Sequence, residues 1–258
     1  AGVKNTDTEE IQKRIEEYAV ECSIVKVWAS EMLDGVVDDV VQIYGGYGYV
    51  EEYPAERAYR DSRINRIFEG TNEINRLIIT GWMVKSAMSG KLALMPAIKA
   101  VMDEVMAGPV LREERERALA EEFDLLAAAK KLTLFAAGAA TQKFSQKLAD
   151  EQEVMAALAD MVMEVFTMES ALLRAEKIAA GNGAASGIAV TLARLYTAKS
   201  MDRVELAGRK VIAAAAEGEM LHTQMTIARR LAKHDPVDTI ALRREAAAHM
   251  VRAGRYAI

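Results

Sequence analysis

Apolar residues return at every third or fourth position over long stretches of this chain, and that spacing constrains its fold more than any other feature. The clearest stretch runs from Thr8 to about Tyr44, where the spacing is that of one long α-helix. Similar spacing recurs in later segments, and no segment alternates with the two-residue period of a β-strand. Good helix formers are abundant and there are only four prolines. The sequence therefore predicts an all-α fold of two packed helical bundles.

Glycine, proline and capping residues mark the predicted helix boundaries. A boundary at Gly108-Pro109 predicts two domains, residues 1–108 and 109–258. Asp150 and Glu153 have the spacing of a capping box. Besides the first helix, the predicted helices are Pro54 to about Arg66, Asn72 to Ser89, Val110 to Leu148, Glu153 to Ala180, Ile188 to Glu217, Met220 to Lys233, and a last one that begins at Pro236.

Charge and cysteine content exclude several classes of function. The net charge of −5, with both signs interspersed, offers no basic surface for a nucleic acid. The single cysteine, Cys22, excludes an intrachain disulfide, and its apolar surroundings predict a buried thiol. No apolar run approaches the roughly 20 residues of a membrane span. The three histidines share no metal-ligand spacing, and we expect no metal site.

Methionines are numerous, and four of them lie close together in the second half of the chain. Such a cluster fits either an adaptable surface for acyl chains and partner helices or the filling of a core, and we expect core filling. The four residues are Met155, Met161, Met163 and Met168.

Glu69 is the strongest candidate for a catalytic residue. It lies where the helical pattern breaks, between the apolar Ile67 and Phe68 and the flexible Gly70. Apolar neighbours would partly desolvate its carboxylate and raise its pKa toward the range that a general base needs. The alternative is that Glu69 only places a negative charge near the start of the next helix, with Thr71 as the N-cap. The residues alone leave both interpretations open.

Four short segments in the first hundred residues carry a family resemblance. They are Gln42–Tyr49 (QIYGGYGY), Glu52–Arg57 (EYPAER), Tyr59–Ile64 (YRDSRI) and Phe68–Ile74 (FEGTNEI). In this order and spacing they resemble the C-terminal helical domain of the acyl-CoA dehydrogenases. The resemblance covers residues from about 10 to 90 and implies that domain's helical fold for residues 1–108.

The resemblance implies a role for the Glu69 turn in α,β-dehydrogenation of fatty acyl-CoA thioesters, a reaction of β-oxidation. The Glu69 carboxylate would remove the α-proton while FAD accepts a hydride from the β-carbon. The backbone N–H of Glu69 and a ribityl hydroxyl of the flavin would polarise the thioester carbonyl. Phe68, Glu69 and Gly70 are thereby the implied substrate-binding residues.

The implied cofactor, FAD, would be contacted by two groups of residues. Gln42, Gly45 and Gly46 would approach the FAD of a second subunit, because only backbone can come so near the pyrophosphate. Thr71 and Glu73 would contact the FAD of their own subunit, although many relatives have glutamine where Glu73 stands. A homodimer and an electron-transfer flavoprotein are the implied partners.

The chain also departs from the family pattern. The N-terminal helical domain and the middle β-domain of the family cannot be found in it, so we expect that the chain alone is inactive and does not retain FAD. Residues 109–258 resemble the helical extension of the very-long-chain class, which is associated with membranes. The alternative function is a non-catalytic module for helical dimerisation or membrane docking. The expected location is the bacterial cytoplasm or the mitochondrial matrix, with peripheral membrane contact as a further expectation.

The predicted helix from Asn72 to Ser89 is too apolar for a single one-sided contact with a core. A surface helix usually shows one apolar stripe, whereas this one carries large apolar residues over more of its surface. A second buried face is implied, either against the family's other domains or against a symmetry mate. Because two-fold dimers are the commonest homo-oligomers, we expect a homodimer centred on residues 10–90.

Overall fold

The computed structural model of the chain describes residues 8–107, 119–181, 183 and 186–256. Within these residues there are ten α-helices, three short 3-10 helices and no β-strand. The predicted all-α fold is confirmed. By their internal contacts the residues form two compact units, Ala1–Leu92 and Ala93–Ile258.

The first unit is built around its second helix. Its elements are α1 (Thr8–Glu17), α2 (Ala19–Tyr44), a 3-10 helix (Gly45–Tyr49), α3 (Pro54–Arg63), a second 3-10 helix (Ile64–Arg66) and α4 (Asn72–Met88). Helix α2 packs against α4 and α3 and contacts both 3-10 helices. Ile24 and Val27 of α2 and Ile79 of α4 are almost completely buried and belong to the apolar core of this unit. This core is small, and many large apolar side chains of the unit remain exposed.

The second unit is organised around its longest helix, α8. Its elements are α5 (Leu94–Ala107), α6 (Ala120–Phe144), a 3-10 helix (Ser145–Asp150), α7 (Gln152–Ala180), α8 (Ser186–Ala215), α9 (Gly218–Ala232) and α10 (Thr239–Ala253). Helix α8 packs against α7, α6, α9 and α10. At Gly208 of α8, a Cβ would lie 3.1 Å from Met161 Cε of α7 and 3.5 Å from Leu132 Cγ of α6. Glycine therefore lets three helices approach closely at this point.

The clustered methionines of α7 fill this core, as predicted. Met155, Met161, Met163 and Met168 are all buried, and Met161 and Met168 are completely inaccessible to solvent. The cluster is therefore part of the packing and not an exposed surface.

Several predicted boundaries differ from the structure. The single long first helix is interrupted at Tyr18, whose N–H bonds the Ile15 carbonyl three residues earlier, as in a 3-10 turn. The helix from Pro54 ends at Arg63 and continues as a 3-10 turn. The capping box at Asp150 and Glu153 is wrong, because the 3-10 helix runs through Asp150 and Glu151 becomes the N-cap without a side-chain hydrogen bond.

The last helix begins three residues later than predicted. Asp238 is its N-cap and accepts hydrogen bonds from the backbone N–H groups of Ile240 and Ala241. Pro236 lies before that cap. A side-chain acceptor that satisfies two free N–H groups defines a helix start more strongly than a proline does.

Other predictions concern the junction between the two halves. The boundary at Gly108-Pro109 and the helix start at Val110 lie outside the described residues, so the division at residue 108 stays a prediction. Helix α5, which the sequence pattern did not identify, packs on α6 within the second unit. Cys22 is exposed, so the predicted burial of its thiol is wrong, because its face of α2 is not covered by the described residues. Among the described helices, none combines the length and the apolarity that crossing a membrane requires.

Candidate functional site

The Glu69 turn, residues 68–71, links the second 3-10 helix to α4 in an unusual backbone conformation. Glu69 has φ +53° and Gly70 has φ +83°, so two successive residues occupy the left-handed region. Glycine adopts this region freely, but a glutamate there costs about 1–2 kcal/mol. Such a conformation persists only where the surroundings enforce it, and it is commonest at functional sites.

Two side chains hold the carbonyl oxygen of Gly70. Lys26 Nζ donates to it at 2.7 Å, and Asn75 Nδ2 donates to it at 2.8 Å. Asn75 Nδ2 also donates to the Thr71 carbonyl at 3.0 Å. A Cβ on Gly70 would lie 3.1 Å from Asn75 Nδ2, so both φ and space favour glycine here. The turn is thus fixed by α2 on one side and by α4 on the other.

Asn72, the first residue of α4, joins the turn to α2 through a buried polar network. Its side chain has 0% exposure. Its Oδ1 accepts from Lys26 Nζ at 2.7 Å, and its Nδ2 donates to Ser30 Oγ at 2.9 Å and to Glu31 Oε1 at 3.1 Å. Because a buried amide must be hydrogen-bonded on both ends, this network favours one orientation of the start of α4.

Two ion pairs brace the chain on either side of the turn. Before it, Arg66 donates to Asp34 at 2.8 Å. After it, Arg76 donates two hydrogen bonds to Glu31, at 2.8 and 3.0 Å. Burial alone would raise the pKa of Glu31, but the hydrogen bond and charge of Arg76 outweigh burial and lower it. The hydrogen bond from Arg66 to Asp34 raises the pKa of the Arg66 guanidinium.

These supporting residues lie on one face of α2. Lys26, Ser30 and Asp34 are spaced by four residues, and Glu31 is adjacent to Ser30. The sequence does not single them out, because polar residues on a helix usually indicate a solvated face. Their repeat on a helix that is otherwise rich in apolar residues is the signal that could have identified them.

Thr71 is the N-cap of α4, as the sequence predicts. Its Oγ1 accepts a hydrogen bond from the Ile74 N–H at 3.2 Å. Glu73 lies in the first turn of the same helix and is exposed. The pKa of Glu73 is lowered mainly by a hydrogen bond from its own backbone N–H. The Thr71 hydroxyl and the charges of Arg76 and Arg66 lower it further, and burial opposes these effects. Glu73 is therefore a carboxylate stabilised at a helix start.

Glu69 itself is exposed, and this differs from the predicted desolvation. The flanking apolar residues do not cover it, since Ile67 and Phe68 are themselves 52% and 44% exposed. Adjacent apolar residues in the sequence therefore did not become a shared apolar pocket, because all residues from 67 to 70 are exposed. The backbone N–H of Glu69 donates to no acceptor within the described part of the chain. A carboxylate and a backbone donor on one residue are thereby open to a ligand.

The glycine-rich segment follows the C-terminus of α2. Gly45 ends the helix with φ +60°, and a Cβ on Gly48 would lie 2.5 Å from the Val41 carbonyl oxygen. The fold therefore requires glycine at both positions. At Gly46, by contrast, φ is not positive and a Cβ would meet nothing within 4 Å. Close approach by a group from outside the chain would explain a glycine at this position.

The structure does not bring the glycine-rich segment and the Glu69 turn together. Lys26, which contacts the turn, and Gln42, which precedes the glycines, are separated by about 24 Å along α2 at 1.5 Å per residue. Gln42, Gly45 and Gly46 are all exposed. The candidate residues therefore form two separate groups on one unit.

Each unit has a surface pocket, and the one in the first unit begins at Ile74, next to Glu73. One, of about 480 Å³, is lined by Arg229, Arg230, Lys233, His234 and Glu205 in the second unit. The other, of about 400 Å³, is an apolar groove along α4 that includes Ile78 and Trp82. Within the described residues, no cluster of three or more histidine, cysteine, aspartate or glutamate side chains is arranged to hold a metal ion.

Family models match two segments of the chain. Residues 5–84 and residues 128–230 match two models that are both described as the acyl-CoA dehydrogenase C-terminal domain. The first segment contains the Glu69 turn and the glycine-rich segment. The second lies within the second unit.

Individual proteins are similar over nearly the whole chain. A probable acyl-CoA dehydrogenase of Bacillus subtilis is 42% identical over 253 residues, which are 98% of this chain and 42% of that protein. The crystal structure of an acyl-CoA dehydrogenase complexed with FAD from Bacillus anthracis has a TM-score of 0.90 and 41% identity, and the match covers 94% of this chain and 41% of that one. The chain thus spans about two fifths of their length.

A third relative matches only a short region. The caffeyl-CoA reductase-Etf complex subunit CarC of Acetobacterium woodii is 45% identical over 65 residues, which are 25% of this chain and 17% of that protein.

Proposed function

Because the chain belongs to the acyl-CoA dehydrogenase family, we propose that it supplies the catalytic base of an FAD-dependent acyl-CoA dehydrogenase. The reaction is the α,β-dehydrogenation of fatty acyl-CoA thioesters, as in β-oxidation. The base is Glu69. The observation that carries this proposal is its exposed carboxylate on a left-handed turn that a buried polar network holds.

Glu69 has two tasks in the proposed reaction. Its carboxylate removes the proton from the α-carbon of the thioester. Its backbone N–H donates to the thioester oxygen, where negative charge develops as that proton leaves. FAD, when bound, accepts the hydride from the β-carbon. Phe68 and Gly70 contact the thioester end of the substrate.

The exposure of Glu69 sets a requirement on the rest of the enzyme. A carboxylate in water is a weak base, and covering it with apolar surface raises its pKa. We propose that FAD, the substrate and protein surface outside the described residues provide this cover. Accordingly, the chain alone is expected to be inactive.

The chain's own residues fit FAD at two places. Gly46 has neither a strained φ nor a close neighbour, so its open backbone suits the approach of a pyrophosphate. We assign Gln42, Gly45 and Gly46 to the FAD of a second subunit, and Thr71 and Glu73 to the FAD of their own. The separation of the two groups along α2 supports two different cofactors. Because the pKa of Glu73 is lowered, its negative charge suits an uncharged part of FAD better than a phosphate.

We further propose that an electron-transfer flavoprotein reoxidises the enzyme. The name of the CarC relative, a subunit of a complex with Etf, supports this partner. The chemistry would take place in a bacterial cytoplasm or a mitochondrial matrix.

Flavin bleaching tests the role of Glu69. In the FAD-loaded enzyme, Glu69→Gln should bind FAD and acyl-CoA but should no longer lose its visible flavin absorbance when substrate is added. The matched control is Glu51→Gln, an exposed glutamate of the same unit, which should bleach normally. Ordinary bleaching by Glu69→Gln would refute the assignment.

The competing function is a non-catalytic helical module for dimerisation or docking. The exposed apolar side chains of the first unit support it, among them Ile15, Ile43 and Met88. The visible absorption spectrum of the purified chain tests whether the chain alone holds the cofactor. We expect a colourless protein, and flavin bands at stoichiometric strength would contradict that expectation.

We also propose peripheral membrane contact by residues 110–187. The burial of the α7 methionines removes one reason for it, and the length of the helices remains. In a flotation assay with anionic phospholipid vesicles, the full chain should rise with the lipid. A chain that stays at the bottom of the gradient would end this proposal.

A further inference from the structure

The geometry points to Lys26 as a positioning residue that holds the Glu69 turn in its left-handed conformation. This inference rests on the proposed role of Glu69 as the base. It adds a residue of α2, 44 positions before Gly70 in the sequence, to the groups on which the reaction depends.

Lys26 connects three parts of the first unit. From α2, its ammonium donates to the Gly70 carbonyl in the turn and to Asn72 Oδ1 at the start of α4, both at 2.7 Å. On α2, Lys26 donates a hydrogen bond to the turn itself. Asn75 also holds the Gly70 carbonyl, but it belongs to α4 and moves with that helix. Lys26 therefore fixes the turn relative to a different helix.

The charge of Lys26 is used in an uncommon way. A partly buried ammonium usually pairs with a carboxylate, yet no carboxylate of the described residues lies within ion-pair distance of Nζ. Its two acceptors are neutral oxygens instead. Hydrogen bonds with one charged partner are roughly twice as strong as neutral ones. The contact therefore favours the observed position of the Gly70 carbonyl.

Fixing the Gly70 carbonyl also fixes Glu69. Peptide groups are planar, so each residue can change direction only through φ and ψ. With the Gly70–Thr71 peptide clamped between Lys26 and Asn75, a change of φ at Glu69 must be compensated by ψ of Glu69 or by the dihedrals of Gly70. The clamp therefore restrains the backbone that carries the Glu69 carboxylate and N–H.

Loss of this clamp should affect the chemical step more than substrate binding. A misplacement of about 1 Å at a reacting group can lower a rate by about 100-fold. Because the turn would contact only the thioester end of an acyl-CoA, we expect the affinity for acyl-CoA to change little. If Lys26 only stabilised the fold, its loss would not lower the rate of the chemical step while leaving the affinity for acyl-CoA unchanged.

The first experiment uses the full chain and measures the turn directly. Positive φ brings a residue's amide and α hydrogens close together, which gives a strong intraresidue nuclear Overhauser effect. Lys26→Met should weaken this effect at Glu69, whereas Lys26→Arg, which keeps a cationic donor, should preserve it. Lys91→Met, a change at an exposed lysine of the same unit, is the control. An undiminished effect in Lys26→Met would overturn the inference.

The second experiment uses the FAD-loaded enzyme and stopped-flow flavin reduction. Lys26→Met should reduce flavin about 10- to 100-fold more slowly at saturating acyl-CoA, with the Kd for acyl-CoA within about twofold of the Lys91→Met control. Lys26→Arg should recover much of the rate. A normal rate in Lys26→Met, or a loss confined to the Kd, would overturn the inference.

Failure of this inference and failure of the proposed function are distinguishable. Normal bleaching by Glu69→Gln removes the proposed base but leaves the magnetic resonance result on the turn standing. Normal turn geometry in Lys26→Met, together with lost bleaching in Glu69→Gln, removes only the role of Lys26.

Discussion

At the level of single residues, the glycines after α2 separate into those that the fold requires and one that it does not. Gly45→Ala places a side chain at φ +60° and ψ −139° and should lower the free energy of unfolding by about 1–3 kcal/mol. Gly46→Ala meets no neighbour and should change it by less than about 0.5 kcal/mol. Urea unfolding followed by tryptophan fluorescence measures both, because Trp28 and Trp82 both lie in the first unit.

The same two variants also test the proposed contact between Gly46 and FAD. In the assembled enzyme, Gly46→Ala should weaken FAD binding although the fold is intact, because a Cβ would stand where the pyrophosphate approaches. Equal loss of stability in both variants would show that Gly46 has a structural role that this fold does not reveal.

The ion pair between Glu31 and Arg76 makes the first unit sensitive to acid. The folded pKa of Glu31 lies below the unfolded value of about 4.5, so its stabilisation is present above that pH and is lost as pH falls through the folded pKa. Near neutral pH, Glu31→Gln should lower the free energy of unfolding by about 1.5–3 kcal/mol, because Arg76 loses its charged partner. The difference from the unmodified chain should shrink as pH falls below about 4.5.

Urea unfolding across this pH range provides the measurement, with Glu51→Gln as the exposed control. If the difference in free energy of unfolding between Glu31→Gln and the unmodified chain stayed constant with pH, the charge of Glu31 would not contribute to stability. Only the shape of its side chain would then matter.

Predictions for single residues from the sequence succeeded where the contacts come from residues nearby in the sequence. They failed where the contacts come from another helix. Thr71 as the N-cap follows from residues within four positions of it, and it is confirmed. The support from Lys26, Ser30 and Glu31 depends on how α2 packs on α4, which no local pattern states. The predicted desolvation of Glu69 is wrong for the same reason, since burial depends on which surfaces meet.

At the level of helices, the start of α10 illustrates why boundaries are harder to predict than helices. The sequence offers Pro236 as a start, and the structure uses Asp238 with two hydrogen bonds from backbone N–H groups. Asp238→Ala should therefore lower the stability of α10 by about 1 kcal/mol. Asp235→Ala, which removes an equal charge three residues earlier, should have little effect.

Amide hydrogen exchange resolved along α10 measures this difference. The first turn of the helix should exchange faster in Asp238→Ala and at the normal rate in Asp235→Ala. Equal acceleration in the two variants would indicate a general charge effect at the start of the helix rather than a cap.

At the level of the whole molecule, the two units differ in how much apolar surface they bury. The second unit has a large core in which Leu132, Phe135 and Met201 are almost fully buried. The first unit leaves Ile15, Ile43 and many other large apolar residues exposed. Many exposed large apolar side chains on one unit favour an interaction surface there. We therefore expect the first unit to form the centre of a homodimer.

Sedimentation equilibrium at micromolar concentration tests this assembly. The chain should sediment at about twice its monomer mass of 28.3 kDa. Ile43→Glu, at an exposed position beside the glycine-rich segment, should shift it to the monomer. Val251→Glu, at an equally exposed position of α10, should leave the dimer intact. A monomer mass for the unmodified chain would show that these apolar faces pack against something other than a second copy.

Fold class and the order of most helices follow from helical periodicity, because that pattern is repeated over many residues. The predicted cysteine burial failed because apolar neighbours along α2 do not show which face of the helix is covered. Assembly cannot follow from periodicity either. An apolar face shows that something covers it, but not which surface does.

The role of Glu69 as the base is tested most directly in the FAD-loaded enzyme, by exchange of the α-hydrogens of a bound acyl-CoA with solvent deuterium. This exchange reports proton removal alone, without dependence on the later passage of electrons. We expect measurable exchange in the unmodified enzyme, with a rate at least about 100-fold lower in Glu69→Gln. Exchange in Glu69→Gln at the unmodified rate would contradict the assignment of Glu69 as the base.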